Sequence, residues 1–478
     1  MVTAIPAAPS AYRTRWAALF VILAAEVMDL LDALVTNIAA PTIRADIGGG
    51  SSLIQWLGAG YTLAMAVGLI TGGRLGDLYG RKPMFLLGAS GFVLGSLLCG
   101  LAVSPEMLVG ARVLQGLFGA VLLPQGLGMI KEMFPPKEMG TAFGAFGPIM
   151  ALSSVGGPVL AGWLVEADLF GTGWRMIFLI NLPLGLLALA GGVRFLPRSR
   201  SEHAARLDLT GAGLASAAAA LLIFPLVQGR EYGWPAWTFV SMAASVALFA
   251  FFGWYESRKH RSGGDPLVVP TLFRKRAFAG GLVAGLVFFS GMVGFSLVFT
   301  LYTQMGLHYS PLKAGLAALP QAIGVMVGFV VASAGLTEKL GRRLLHAGAL
   351  IMAAGVAGFG VTLHSAGVGV TPWQMAPTLA VAGIGMGLLM APFFDIVLAG
   401  VAPEETGSAS GTLTAIQQLG AALGTAVLGT VFFHLLDGGT GFGDAMQVVI
   451  WIEVGMLLVT FVTAFALPMR ARHEEVTG

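Results

Sequence analysis

Three acidic residues, Glu26, Asp29 and Asp32, interrupt the first long apolar stretch of the chain. Residues three apart are neighbours on a helix, so a helix here would carry all three acids on one broad face. With a rise of about 1.5 Å per residue, Asp29 would lie near the centre of a membrane and Asp32 roughly 4–5 Å beyond it. An ionisable group inside a membrane helix costs about 2.5–3.5 kcal/mol, which makes each acid a candidate functional residue.

A basic residue, Arg112, lies near the start of a later apolar stretch that would run in the opposite direction and reach the depth of Asp32. One interpretation is a carboxylate that takes up and releases a proton beside the arginine, in a balance that substrate binding could change. The other is a permanent ion pair that fixes two helices. Asp29 is a second candidate for the exchangeable proton, whereas Glu26 could merely line a wet cavity.

Other polar residues inside apolar stretches are weaker candidates. Asp395 could bind a cationic group, take part in coupling or face water, and Glu453 lies near the predicted midplane of a segment expected at the periphery. The candidates for cavity or substrate contacts are Asn37, Trp56, Tyr61, Gln115, Gln125, Asp395 and Glu453. The five uncharged residues among them could equally form hydrogen bonds between helices.

Several motifs are absent from the sequence. It has no Gly-x-x-x-x-Gly-Lys-Ser/Thr phosphate loop, no Cys/His cluster and no nucleophile–base pair, and Cys99 is its one cysteine. Gly383, Gly385 and Gly387 lie in an apolar stretch and indicate helix packing. We therefore expect no metal, no cofactor and no enzymatic activity. Any energy the protein uses would then come from an ion gradient, which supplies about 2.3 kcal/mol per charge at 100 mV.

The composition is that of a polytopic α-helical membrane protein. Hydrophobic residues make up 56% of the 478 positions, charged residues 11%, and the mean hydropathy is +0.83. Soluble domains carry about 25% charged residues, and a bilayer is crossed by about 20 apolar residues. Fourteen such segments are predicted, at 16–41, 53–72, 84–103, 107–130, 139–165, 174–195, 208–228, 236–256, 278–303, 312–335, 344–363, 373–400, 407–434 and 444–469.

The distribution of basic residues predicts the orientation. If the N-terminus is cytoplasmic and the segments alternate, 22 of the 27 basic residues lie in the cytoplasm and four outside, while Arg112 lies within a segment. Cytoplasmic loops are enriched in Lys and Arg. Because the loss of one segment would invert every later loop, this distribution favours fourteen segments with both termini in the cytoplasm.

A repeated turn divides the chain. Gly73 and Asp77 are followed by Gly80, Arg81 and Lys82 after the second segment, and Glu338 is followed by Gly341, Arg342 and Arg343 after the tenth. Each acid precedes a glycine by three residues and two basic residues follow, which indicates a tight turn in which glycine permits a positive φ. With the long polar linkers 196–207 and 257–277, this predicts a six-helix bundle (1–200), a two-helix hairpin (201–265) and a second bundle (266–478).

These residues resemble the major facilitator superfamily. The turn at 73–82 resembles its loop signature, residues 112–120 its basic motif in helix four, and residues 156–162 its Gly-Pro antiporter motif, with Ala161 in place of a glycine. Residues 32–41 and 174–183 are similar to the fourteen-helix drug–proton antiporters, the EmrB/QacA-like family.

The resemblance implies two six-helix bundles around a central cavity that opens alternately to each side of the membrane. It implies a gating role for the turn at Asp77, and a conformational role beyond packing and kinking for Gly157 and Pro158. The corresponding gating candidates are Gly73, Asp77, Gly80, Arg81, Lys82, Gly157, Pro158, Glu338 and Arg342.

Together the residues and the resemblance predict a proton-coupled exporter of apolar or amphipathic small molecules in the cell membrane. Its partners would be protons, a small-molecule substrate and lipid, with no nucleic acid, and it would act as a monomer. Import of a small nutrient is the alternative, and the antiporter-like Gly-Pro stretch favours export. A non-transporting receptor or scaffold would not need the buried acids of the first segment.

Overall fold

The computed structural model describes residues 12–135, 138, 142, 146–198, 207–402 and 405–470. These residues are almost entirely helical, and no strand occurs among them. The helices are α1 Arg15–Ile47, α2 Ser51–Tyr79, α3 Arg81–Gly100, α4 Pro105–Met133, α5 Phe146–Glu166, α6 Met176–Leu179, α7 Asn181–Phe195, α8 Leu209–Gln228, α9 Ala236–Arg261, α10 Arg276–Leu301, α11 Pro311–Val331, α12 Thr337–Leu340, α13 Arg342–Ala366, α14 Pro372–Leu398, α15 Thr406–Asp437 and α16 Phe442–Thr463.

Local sequence sets where several of these helices begin. Ser104 accepts a hydrogen bond from the backbone N of Met107 at 3.3 Å ahead of α4, and Ser310 does the same for α11. In both cases a proline is the first helical residue, where its fixed φ fits and its missing N–H is not needed. Thr371 and Gln374 form a capping box at the start of α14.

Twelve helices among the described residues, counted with their adjoining turns, are long and apolar enough to cross a membrane. The chain is therefore an all-helical membrane protein, and the expected total of fourteen segments stays a prediction. Two long helices, α1 and α5, are outside the twelve: α1 carries Glu26, Asp29 and Asp32 along its length. The helix α1 continues through Pro41 to Ile47, beyond the predicted end at residue 41.

The helices pack in two groups. In the first, α2 and α3 pack on α4, and α7 packs on α1 and α3; in the second, α14 packs on α11 and α13, and α10 on α15 and α16. The hairpin of α8 and α9 packs on α2 and α15. The predicted division of the chain stays a prediction, and its boundary between 200 and 201 lies outside the described residues.

The two groups of helices contact each other at one end of the molecule. We call the end with Arg81, Lys82 and Arg342 the basic face, and the end with Arg44 and Arg175 the opposite face. On the opposite face Leu312 N of α11 donates to Glu166 of α5 at 2.8 Å, and Gln304 donates to the carbonyl of Ile38 at 2.8 Å. The two groups of helices are thus joined at this face.

Glycine allows the closest helix contacts. A Cβ on Gly315 of α11 would lie 2.4 Å from the carbonyl oxygen of Pro158 in α5, and one on Gly162 would lie 2.4 Å from Leu312 Cα. Within the second group, a Cβ on Gly383 would lie 2.0 Å from a backbone oxygen of α11. Helices approach this closely only where a side chain is absent, which confirms the packing role predicted for the Gly383 run.

Candidate functional site

Asp32 is completely buried, and polar side chains of α4 and α7 contact its carboxylate. Its carboxylate forms a salt bridge with Arg112 of α4, and the exposed fractions of the two side chains are 0% and 1%. Gln115 Nε2 donates to Asp32 Oδ1 at 2.9 Å, and Asn181 Nδ2 of α7 donates to the same oxygen at 2.7 Å. The carboxylate therefore has a donor on each side, as a stable buried charge requires.

Arg112 is held by more than its ion pair. Its Nε donates to the carbonyl of Leu57 in α2 at 3.2 Å, and its Nη1 donates to Gln115 Oε1 at 2.7 Å. The guanidinium carbon lies 4.2 Å from the ring centre of Tyr61 and 5.7 Å from that of Phe178. Aromatic faces attract desolvated cations, so the arginine is fixed in position by α1, α2 and α4 together.

Two members of this cluster were not predicted as site residues. Ser96 of α3 accepts from Gln115 at 2.8 Å and from Asn181 at 3.3 Å, and both residues are buried. Asn181 lies in the stretch 174–183 that is similar to drug antiporters. Its polar amide inside an apolar segment is a sequence signal that could have identified it as a site residue. Ser96 is one small polar residue among many in its segment and carries no such indication.

The second acid, Asp29, is one helical turn from Asp32 and has its own partner. Tyr61 OH donates a hydrogen bond to Asp29 Oδ1, and a Cβ on Gly119 of α4 would lie 3.3 Å from the same oxygen. Tyr61 thus touches both the Asp29 carboxylate and the Arg112 guanidinium. Glu26 is only partly buried and has no hydrogen bond or ion pair with another described residue. The three acids therefore differ in accessibility.

The other uncharged candidates lie at helix contacts. Trp56 Nε1 donates to Gln228 of α8 at 3.2 Å, so it faces the hairpin. Gln125 Nε2 donates to the carbonyl of Gly72 at 2.9 Å and joins α4 to α2. Asn37 is partly buried close to α2, since a Cβ on Gly58 would lie 3.6 Å from its Oδ1. For Trp56 and Gln125 the geometry matches the interhelical hydrogen bond, the second of the two interpretations given above.

The two acids of the second group have different surroundings. Asp395 of α14 is exposed. Glu453 of α16 has an exposed fraction of 0%, and neither carboxylate oxygen has a hydrogen-bond partner among the described residues. Glu453 lies against Gly291 of α10, where an added Cβ would approach its Oε2 to 2.2 Å. Neither acid contacts the Asp32 cluster.

A family profile described as "Major Facilitator Superfamily" matches residues 22–425, which covers the Asp32 cluster and most of both groups of helices. The chain belongs to the major facilitator superfamily. The prediction made from residues 73–82, 112–120 and 156–162 is thereby confirmed.

Three members of the superfamily that are similar to this chain come from Streptomyces species. The chain is 52% identical over 430 residues to a "Probable actinorhodin transporter" of Streptomyces coelicolor, covering 90% of this chain and 74% of that protein. It is 36% identical over 481 residues to a puromycin resistance protein of Streptomyces alboniger (97% and 93% covered). It is 33% identical over 419 residues to a "Tetracenomycin C resistance and export protein" of Streptomyces glaucescens (87% and 76% covered).

Solved structures of POT family transporters share the fold of this major facilitator protein. A crystal structure of an auto-inhibited POT family peptide transporter aligns with a TM-score of 0.65 at 16% identity, covering 95% of this chain and 98% of that one. A second POT family transporter, in complex with 5-aminolevulinic acid, aligns with a TM-score of 0.67 at 13% identity, with 93% and 95% covered. At these identities the likeness shows the fold alone.

The loop signature of this major facilitator protein forms an ion-pair network on the basic face. Arg81 Nη2 donates to Asp77 Oδ1 at 3.1 Å, and Arg81 Nε lies 3.1 Å from Glu132 Oε1 of α4. Gly80 has a φ of 97°, as the tight turn predicted. Lys82 Nζ donates to the carbonyls of Val193 at 2.7 Å and Leu196 at 3.0 Å, so it caps the end of α7. Gly73 lies against α4, where an added Cβ would lie 3.6 Å from Pro124.

The second copy of the turn keeps a glycine with positive φ but not the acid network. Gly341 has a φ of 52°. Arg342 Nη1 donates to the carbonyls of Phe465 at 2.9 Å and Leu467 at 2.7 Å, which caps the end of α16 as Lys82 caps α7. Glu338 is exposed.

The Gly-Pro stretch lies where α5 contacts α1 and α11. A Cβ on Gly157 would lie 3.0 Å from Leu34 of α1, while Pro158 contacts Gly315 of α11.

Proposed function

We propose that this protein exports an apolar or amphipathic small molecule across the cell membrane in exchange for protons, by alternating access. The observation that carries the proposal is the fully buried Asp32–Arg112 pair, held by Gln115 and Asn181 inside the first group of helices. Charges placed this deep in a membrane protein mark proton or substrate pathways. The relatives named for resistance to puromycin and for export of tetracenomycin C support the export direction.

Protonation of the Asp32–Arg112 pair can drive a conformational change. When Asp32 takes up a proton, Arg112 loses its counter-ion and becomes an uncompensated buried charge, which destabilises the arrangement by about 3–5 kcal/mol. The cluster must then rearrange, and it contacts α1, α2, α4 and α7 at once. Asp29 lies one turn away with Tyr61 as its partner, so it is the second group that could hold the proton. One charge at 100 mV supplies about 2.3 kcal/mol, roughly a fiftyfold concentration ratio.

The proposed topology has fourteen membrane-spanning segments. Adding α1 and α5 to the twelve apolar helices gives this number, with the α8–α9 hairpin inserted between bundles at 1–200 and 266–478. The basic face would be cytoplasmic, with both termini on that side. The Asp77–Arg81–Glu132 network would then be a cytoplasmic latch that opens during switching, and one chain would suffice for transport.

The test is transport in proteoliposomes with an imposed pH gradient, using a compound first chosen by thermal stabilisation of the purified protein. A lumen of lower pH should drive accumulation through the inside-out fraction of the protein. Asp32→Asn should abolish gradient-driven accumulation and the accompanying proton flux. Asp46→Asn is the matched control, because Asp46 lies in the same helix but pairs with Arg175 at 2.9 Å on the surface. If Asp32→Asn exports at the unaltered rate and still moves protons, the assignment is wrong.

A further inference from the structure

A cavity of about 470 Å³ lies away from the Asp32 cluster, between the α8–α9 hairpin, α2, α15 and the segment leading into α10. Ligand sites typically measure about 300–1,000 Å³ and combine apolar walls with a few polar groups. Small residues and aromatic rings form this wall, among them Ala66, Ala215, Ala219, Phe249, Phe252 and Phe273. The rings and the size suit a flat or chain-like apolar body.

Among the described residues that line this cavity, Glu256 is the one ionisable group. It is 3% exposed, and its Oε2 accepts a hydrogen bond from the backbone N of Val268 at 2.9 Å. Its Oε1 accepts no hydrogen bond from any described residue. Glu256 instead shares a proton with the carboxyl group of Asp208. A buried acceptor needs a donor, and an amine or hydroxyl group of a bound molecule could take the place of that shared proton.

The neighbour of Glu256 is a second carboxyl group, that of Asp208. A Cβ on Gly211 would lie 2.5 Å from Glu256 Oε1 and 2.7 Å from Asp208 Oδ2, so the two carboxyl groups share one corner. Asp208 receives the local donors: Gly211 N at 2.8 Å, Lys259 Nζ at 3.0 Å and Tyr255 OH at 3.1 Å. Burial alone would raise the pKa of Asp208, but the hydrogen bonds from Gly211, Lys259 and Glu256 hold that pKa below its usual value.

We propose that this cavity binds the apolar body of an amphipathic small molecule whose amine or hydroxyl group donates a hydrogen bond to Glu256. The molecule reaches the cavity from the bilayer, because α9 is largely unburied and exposes apolar side chains such as Phe251 and Trp254. Once bound, it contacts α2 and α15, which belong to different groups of helices. The site is separate from Asp32 and does not depend on proton coupling or on the direction of transport.

The test uses the full chain in phosphatidylcholine nanodiscs and a twelve-carbon primary amine that carries a photoactivatable diazirine. After irradiation, mass spectrometry locates the cross-links, which we expect on Phe249, Phe252 and their neighbours in the wall. Ala215→Phe fills the cavity and should reduce this labelling about tenfold. Ala220→Phe is the matched control, because Ala220 lies on the same helix but is exposed, and labelling should be unchanged. Persistent labelling of Ala215→Phe would overturn the proposal.

Two further comparisons test the hydrogen bond and the identity of the occupant. The amine should label the wall more strongly than a diazirine alkane of equal length without a donor, and Glu256→Gln should remove that difference. Equal labelling by both probes in the unaltered protein contradicts a role for Glu256 without requiring any variant. If a diazirine-bearing phosphatidylcholine labels the wall and the amine does not displace it, a bilayer lipid fills the cavity and the proposal fails.

Discussion

Replacing Gln55 with leucine should weaken the closure of the opposite face. Gln55 of α2 has no exposed area, and its Nε2 lies 2.9 Å from the carbonyl of Ala426, 3.1 Å from Thr430 Oγ1 and 3.3 Å from the carbonyl of Thr425, all in α15. An NH₂ group has two hydrogens, so it makes at most two of these bonds at once. Leucine keeps the apolar volume and removes both.

The size of the effect follows from the number of bonds. Hydrogen bonds between membrane helices average about 0.6 kcal/mol each, so two contribute about 1.2 kcal/mol to the closed opposite face. Loss of that free energy raises the ratio of open to closed molecules roughly sevenfold. Because Gln55 contacts neither Asp32 nor Arg112, the ion pair itself should remain intact.

The measurement is the distance distribution between spin labels at Val103→Cys and Trp373→Cys in nanodiscs. Both positions are strongly exposed on the opposite face, in different groups of helices, while the native Cys99 is fully buried. In Gln55→Leu, the ratio of molecules at long distance to molecules at short distance should rise roughly sevenfold, as the lost hydrogen-bond free energy indicates. Gln125→Leu is the control, because Gln125 also donates to two carbonyls, of Gly72 and Val121, but both lie within the first group. An unchanged distribution in Gln55→Leu, or an equal shift in Gln125→Leu, would refute the reasoning.

Two other substitutions test contacts elsewhere. Gly315→Leu should keep α11 away from Pro158 and reduce transport by at least about tenfold, whereas Gly156→Ala, whose added Cβ has no atom of a described residue within 4 Å, should transport at the unaltered rate. Lys275→Met should remove an acid-sensitive part of the stability: Lys275 Nζ lies 2.5 Å from Glu405 and its hydrogen bond holds the pKa of Glu405 below its usual value. The pair stabilises the protein at pH values above the ordinary glutamate pKa, and this contribution is lost as the pH falls through the lowered pKa of Glu405. Thermal-unfolding curves of Lys275→Met and the unaltered protein should therefore converge in acid. A difference in unfolding temperature that persists in acid would contradict the prediction.

Some of the site could be predicted from sequence because membrane depth is nearly one-dimensional. Counting residues from the start of each segment places Arg112 at the depth of Asp32, and the structure shows their salt bridge. The turn at Gly80 was predictable for a similar reason, since the repeated spacing of acid, glycine and basic pair requires a positive φ at one position. The functional roles of these residues stay predictions.

Rotation about each helix axis was not predictable. Ser96 and Asn181 complete the Asp32 cluster, but they come from α3 and α7, whose facing sides depend on how all the helices of the group pack. Trp56 shows the same limit, because it contacts Gln228 only where the α8–α9 hairpin packs on α2. The sequence shows that a polar residue lies in an apolar segment. Whether its side chain lines a cavity or contacts another helix depends on how the helices pack.

The two groups of helices share a positive-φ glycine turn and a basic residue that caps the last helix, but they do not share their buried charges. Lys82 and Arg342 each cap the last helix of their group, but among the described residues the buried acid–arginine pair, Asp32 with Arg112, lies in the first group alone. A change of charge at Asp32 can move the second group only through surfaces that the groups share, and the largest of these are α2 with α15 and α5 with α11. Substitutions at Gln55 and Gly315 should therefore uncouple transport from proton binding while the Asp32 pair remains formed.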